Sequence, residues 1–134
     1  MILALDPGDA TIGLATSNNL IIATHYKTIR FNTPTDGINQ LFKEVNNLMP
    51  NTIIIGNPIN MNGSIGLRAM HSQNIKDNIE KQYTQIKVIL WDERLSTKAA
   101  LNIYKTLNLK NTTFKMIKDE LSAQVILQSY LDSL

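Results

Sequence analysis

The chain is predicted to be α/β, a mixed five-stranded sheet with helices on its faces. Three observations predict that class. Short apolar or alternating runs with brief connections fill the first part of the chain, as in an antiparallel meander. The remainder alternates helical periodicity with short buried-strand runs, the pattern of parallel strands joined by helices. The 134 residues hold no Pro/Gly/Ser-rich linker, so one domain over 1–134 is expected.

Ile2 to Leu5 is wholly apolar, as suits a strand buried on both faces. Pro7-Gly8-Asp9 breaks it, and Ile12-Gly13-Leu14-Ala15 resumes the extended pattern. Asn18-Asn19 signals a hairpin turn, after which Leu20 to Ile29 reads as a third strand. Asp36 is the expected cap of a helix whose face carries Ile38, Leu41, Phe42, Val45, Leu48 and Met49, with Pro50 as its stop. Thr52 to Gly56 is a fourth strand. A polar loop leads to Ser64, read as the cap of a helix running towards Gln82. Val88 to Trp91 is the fifth strand. Ser96 or Thr97 then caps a helix bearing Ala99, Ala100, Ile103, Tyr104 and Leu107, and a last helix starts near Phe114.

Composition closes off several functions. Hydrophobic residues make up 43% and charged residues 18%, the balance of a globular rather than a disordered chain. No apolar run approaches the roughly 18 residues of a membrane helix, and Met1 to Asp6 lacks the basic start of a signal peptide. A cytoplasmic protein without a membrane partner is expected. Cysteine is absent, which excludes disulfides, thiolate zinc sites, iron–sulfur clusters and cysteine nucleophiles. The net charge of +2 permits a nucleic-acid partner without demanding one.

The chemistry is carried by acids that sit against the apolar pattern. Asp6 follows directly on the first strand, and Asp92 and Glu93 follow directly on the fifth. Ligands of open α/β sheets bind beyond the carboxyl ends of the strands, so these acids have a reason to converge. Taken singly, each is equally well explained as a solvated or capping residue. Asp119 is the more telling case. Ala123, Ile126, Leu127, Tyr130 and Leu134 follow it at offsets 4, 7, 8, 11 and 15, which puts it on the inward stripe of the last helix. A carboxylate there is costly unless paired or bound to metal, although acids are also favoured in a first helical turn. An oxygen-only cluster selects Mg²⁺ or Mn²⁺, one or two ions, suited to phosphodiester hydrolysis.

The loop from Gly56 through Pro58 to Gly63 and Ser64 runs from a strand into a helix start, where free amides suit a phosphate. It is no Walker loop, because no Gly-Lys-Ser/Thr follows. Arg68 and His71 on the next helix, and Arg94 beside Glu93, are placed to contact a phosphate backbone.

Four motifs occur in order: Leu5-Asp6-Pro7-Gly8 with Ile12-Gly13-Leu14-Ala15; Gly56-x-Pro58 with Gly63-Ser64; Asp92-Glu93-Arg94-Leu95-Ser96-Thr97; and Asp119-x-x-Ser122-Ala123 with Ile126-Leu127. Together they resemble the YqgF-like family, Holliday-junction resolvase-like proteins now regarded as pre-16S rRNA nucleases. The resemblance spans essentially the whole chain and implies an RNase H-like fold. It also implies a metal-dependent nuclease trimming the 5′ end of 16S rRNA during ribosome assembly. The family's catalytic and metal-binding acids carry over to Asp6, Glu93 and Asp119, and the resemblance is what selects Glu93 over Asp92. Implied partners are pre-rRNA or a ribosomal precursor particle, with branched DNA as the alternative, for a monomer or homodimer. The chain departs from the family at Ala10 and Thr11, where basic residues are usual, and at Ser122, where alanine is. Two other classes compete. One is an ATP-handling protein of the actin and sugar-kinase type, which needs a second domain; the other is a nucleic-acid-binding assembly factor that has lost catalysis.

Overall fold

The computed structural model describes residues 1–60, 62–96 and 111–134; for Ser96 and residues 111–120 it describes the backbone alone. Five strands form one sheet: β1 (Ile2–Pro7), β2 (Thr11–Ser17), β3 (Thr24–Arg30), β4 (Thr52–Asn57) and β5 (Lys87–Asp92). Their order across the sheet is β3-β2-β1-β4-β5. β1, β2 and β3 are paired antiparallel, while β1, β4 and β5 run parallel. The mixed sheet is the one the sequence pattern predicts.

Alternation along the strands sorts two cores. Leu3, Leu5, Ile53, Ile55, Val88 and Leu90 face the side covered by α1 (Pro34–Leu48) and α2 (Leu67–Gln82), where they meet Leu41, Val45, Ile75 and Ile79. Ile2, Ala4, Ala15, Ile54, Ile89 and Trp91 face the other side, where α3 (Asn111–Asp132) brings Ala123, Ile126, Leu127 and Leu131. Ala4 and Ala15 lie fully buried in that second core, so the helix packs close to the sheet. Trp91 donates its indole N–H to Ser129 Oγ at 3.0 Å and meets the Tyr130 ring edge-on at 5.4 Å.

Several element ends differ from expectation, each for a local reason. Residues 20–23 are not strand. Asn19 Oδ1 accepts from the amides of Ile21 and Ile22, both at 3.0 Å, and Leu20 turns left-handed at φ 61. Gln128 of α3 then accepts from Ala23 N–H at 3.0 Å and donates to Ile21 O at 2.9 Å, so the loop's polar groups are met without a ladder. The cap of α1 is Thr33 rather than Asp36; its hydroxyl accepts from Asp36 N–H at 3.2 Å, and Pro34 starts the helix. Asp36 sits inside the first turn, where its charge suits the helix dipole. Met49 lies on no buried face; it is the left-handed C-cap and is 78% exposed. Gly66, not Ser64, caps α2, and it supplies no side-chain hydrogen bond. Ser64 is occupied elsewhere, its hydroxyl donating to Asn62 Oδ1 at 2.7 Å and accepting from Asn60 Nδ2 at 2.9 Å. The last helix begins at Asn111, before Phe114. The helix expected over Ala99, Ala100, Ile103, Tyr104 and Leu107, with Thr97 as a possible cap, lies outside the described residues.

Candidate functional site

Parallel pairing brings the carboxyl ends of β1, β4 and β5 to one edge of the sheet. By the same alternation that sorts the core, Asp6, Gly56 and Glu93 follow Ala4, Ile54 and Trp91 onto the α3 face. Asp92 is one residue out of phase and belongs to the other side. Glu93 opens a short 3₁₀ turn, Glu93–Ser96, that bends the chain back over the sheet edge.

Gly56 makes room for that bend. A Cβ at Gly56 would lie 2.6 Å from Glu93 Oε1 and 2.6 Å from Ile126 Cδ1, closer than real Cβ contacts come. The missing side chain is therefore the space in which Glu93 reaches Asp6. Asp6 itself is registered opposite Gly13 of β2, and a Cβ there would meet Ala123 Cβ at 3.5 Å. The inner side of α3 thus stands directly over the two acids.

Glu93 is pushed up to about 7 from the ordinary 4.5. Burial is the largest cause, followed by the charge of Asp6 and a side-chain hydrogen bond with Asp6; Arg68 opposes the rise. Two carboxyl groups this close do not both ionise readily, and the pair holds a proton near neutrality. Arg68 donates from Nη2 to Pro7 O at 3.3 Å, which ties the first turn of α2 to the residue after Asp6. Asp92 is spoken for differently. Arg94 grips it through Nε at 2.9 Å and Nη2 at 2.7 Å, and Arg94 N–H adds a bond at 2.9 Å to Oδ1. This clamp holds the Asp92 carboxyl below the usual carboxylate range.

The structure therefore joins Asp6 with Glu93, sets Arg68 beside them and Gly56 beneath them. It draws Arg94 to Asp92. Pro58, Gly63 and Ser64 lie in the loop between β4 and α2, shaped by Gly63 at φ 84 and by Gly63 N–H donating to Asn60 O at 2.8 Å. Asp119 lies on α3 one turn before Ala123; its side chain is outside the described residues. Among the described residues, no third Asp, Glu or His completes a metal-binding group with the pair. Ser72 escaped the sequence reading. It is fully buried and donates to Gly56 O at 2.8 Å, pinning α2 to the end of β4. Its signal is spacing, since it lies one turn after Arg68 on the same side of the helix. A groove lined by Val45, Met49, Pro50, Tyr83 and Ile86 lies at the opposite edge of the sheet, remote from the acids.

A family model described as RuvX, Holliday junction resolvase, matches residues 1–133. The chain is 45% identical over 132 residues to a protein of Aster yellows witches'-broom phytoplasma named "Putative pre-16S rRNA nuclease", covering 97% of this chain and 87% of that one. A protein of the same name from Staphylococcus epidermidis is 38% identical over 136 residues, covering 99% and 96%. Among solved structures, Thermus thermophilus RuvC in complex with a Holliday junction substrate superposes with a TM-score of 0.64 at 12% identity, over 98% of this chain and 93% of that one. Fowlpox virus resolvase with its junction DNA gives 0.55 at 14% identity, over 98% and 97%. These likenesses show an RNase H-like fold.

Proposed function

Since the chain belongs to the RuvX family of Holliday junction resolvases, a family of nucleases, we propose that it cleaves the 5′-flanking strand of a pre-16S rRNA at the Asp6–Glu93 pair. The observation that carries this reading is that pair: two carboxyl groups pressed together at the carboxyl edge of a parallel sheet, one of them raised to about 7. The donors of the pair are all oxygen, so it fits a hard divalent cation, Mg²⁺ or Mn²⁺. Asp6, Glu93 and Asp119 are the residues that would hold one or two such ions. When bound, the ions would supply an activated water and neutralise charge on the leaving oxygen.

The chain's own residues do the rest. Gly56 leaves the gap through which Glu93 comes alongside Asp6. Arg68 keeps a positive charge at the mouth, where a scissile phosphate must pass. The first turn of α2 has no side-chain cap, so its amides are open to a phosphate of the approaching strand. Ile126 and Ala123 put apolar groups of α3 against Gly56 and Gly13, on the same side of the sheet as the pair.

Resolution of four-way DNA junctions is the second reading, favoured by the description of the matching family. Structured RNA precursors and four-way DNA junctions, each assayed with Mg²⁺, Mn²⁺ and chelator, decide between them. Cleavage of the RNA by wild type and none by Glu93→Gln is expected. Undiminished cleavage in excess chelator would exclude the metal-assisted reaction.

A further inference from the structure

A buried serine inside a helix runs against local preference, because alanine suits both the helix and apolar surroundings better. Ser129 of α3 is such a residue, 8% exposed, on the helix that brings Ile126, Leu127 and Leu131 to the second core. Its one hydroxyl proton goes to Leu95 O at 3.1 Å, and its oxygen accepts the Trp91 indole N–H at 3.0 Å. Trp91 and Leu95 stand two residues before and two residues after Glu93. One hydroxyl of α3 thus holds the chain on both sides of that acid.

Arg94 and Leu95 of the 3₁₀ turn are exposed, Leu95 by 58%, so neither packs the turn down. The clamp of Arg94 on Asp92 joins residues two apart and sets the shape of the bend. Ser129 sets its position against α3. Position matters here because Glu93 Oε1 occupies the narrow space over Gly56, and Ile126 Cδ1 bounds the same space. Ile126 lies one turn before Ser129, so one stretch of α3 both borders that space and grips the turn. We propose that Ser129 is a positioning residue, which fixes the turn Glu93–Ser96 against α3 and so keeps the Glu93 carboxyl beside Asp6 for cleavage. The same hydroxyl ties the turn that bears Glu93 to the helix that bears Asp119. This rests on the reading that the Asp6–Glu93 pair cuts nucleic acid.

Three variants test this beside wild type. Ser129→Ala removes both bonds, Ser129→Thr keeps the hydroxyl, and Leu131→Val thins the same core while leaving the hydroxyl in place. Each is followed metal-free by NMR, and in Mg²⁺ by cleavage of a structured RNA precursor and a four-way DNA junction. Trp91 is the chain's one tryptophan, so a single indole N–H signal reports its bond. That proton should exchange about tenfold faster in Ser129→Ala, as one lost hydrogen bond implies. The Glu93 and Gly56 amide signals should move with it. In the same variant kcat should fall on the order of tenfold, short of the roughly hundredfold cost of a full ångström, with KM unchanged. Ser129→Thr should recover the rate and the protected indole, and Leu131→Val should melt lower yet keep its kcat. The proposal is overturned by unmoved Glu93 and Gly56 signals or an undiminished kcat in Ser129→Ala. An equal loss of kcat in Leu131→Val overturns it too, as does a Ser129→Thr protein that is slow although its indole is protected. A wild type that cuts neither substrate sinks the nuclease reading instead, and the amide signals then still decide whether Ser129 places Glu93.

Discussion

Replacing Gly56 by alanine puts one methyl group into the space that Glu93 uses. The added carbon would stand 2.6 Å from both Glu93 Oε1 and Ile126 Cδ1, where ordinary contact begins at 3.4 Å, so each neighbour must retreat by about 0.8 Å. Both atoms are the far ends of flexible side chains. The fold therefore accommodates the change for about 1 kcal/mol, the lower end of overpacking, or roughly 3 °C of melting temperature. Activity is far less tolerant. A displacement approaching 1 Å of a group that must meet the reacting centre costs about a hundredfold in rate. Melting curves beside single-turnover cleavage give the two numbers on one preparation. Adding Ile126→Val to Gly56→Ala removes the Cδ1 contact, and this should restore the melting temperature without restoring cleavage. A Gly56→Ala protein that melts several degrees lower yet cleaves at the wild-type rate would refute the argument, because Glu93 would then have no need of its place beside Asp6.

Three further outcomes are expected. In metal-free protein, Glu93 binds its proton more tightly folded than unfolded, so its stabilisation is complete below about 4.5 and is lost as pH rises through about 7. Allowing for solvent screening, that loss is on the order of 2 kcal/mol. Glu93→Gln should show a flatter melting profile across that window, and an identical slope in both proteins would count against the carboxyl pair. Asp119→Asn should be inactive and should gain less melting temperature from Mg²⁺ than wild type does, whereas Asp92→Asn should keep its activity; an inactive Asp92→Asn would invert the assignment. Ala10→Lys with Thr11→Arg, on the β1–β2 turn next to Asp6, should tighten RNA binding and steepen its salt dependence, and an unchanged slope would mean that the turn does not touch the strand.

The strands were readable because a buried parallel strand is written as an unbroken apolar run, as in Ile53-Ile54-Ile55. Leu20-Ile21-Ile22 has the same composition and is a loop, because Asn19 and Gln128 meet its amides and carbonyls instead of a neighbouring strand. That partner sits far along the chain, beyond any local pattern. Thr33 and Gly66 displaced Asp36 and Ser64 as helix caps for a similar reason: several residues near each start were chemically able to cap, and backbone conformation chose among them. Asp6 and Glu93 were visible as acids closing apolar strands. Strand parity alone could not select Glu93 until the two faces were known from the packing of Trp91 and Leu90. Gly56 looked like part of a phosphate loop, and its service to Glu93 became legible only when β4 and β5 lay side by side.

The parallel pairing of β1 with β4 and of β4 with β5 also has a kinetic meaning. The β1–β2 hairpin closes over a few residues and forms early, but the parallel ladders join segments far apart in the chain and must pay loop-closure entropy first. Asp6 leaves the ribosome before Glu93, which follows only after β5. A nascent chain therefore carries Asp6 without Glu93, and the carboxyl pair is incomplete. On the proposed three-acid site, cleavage would be conferred only in one late step, after synthesis has passed α3, so a half-made chain would pose no hazard to the RNA of the particle that is making it.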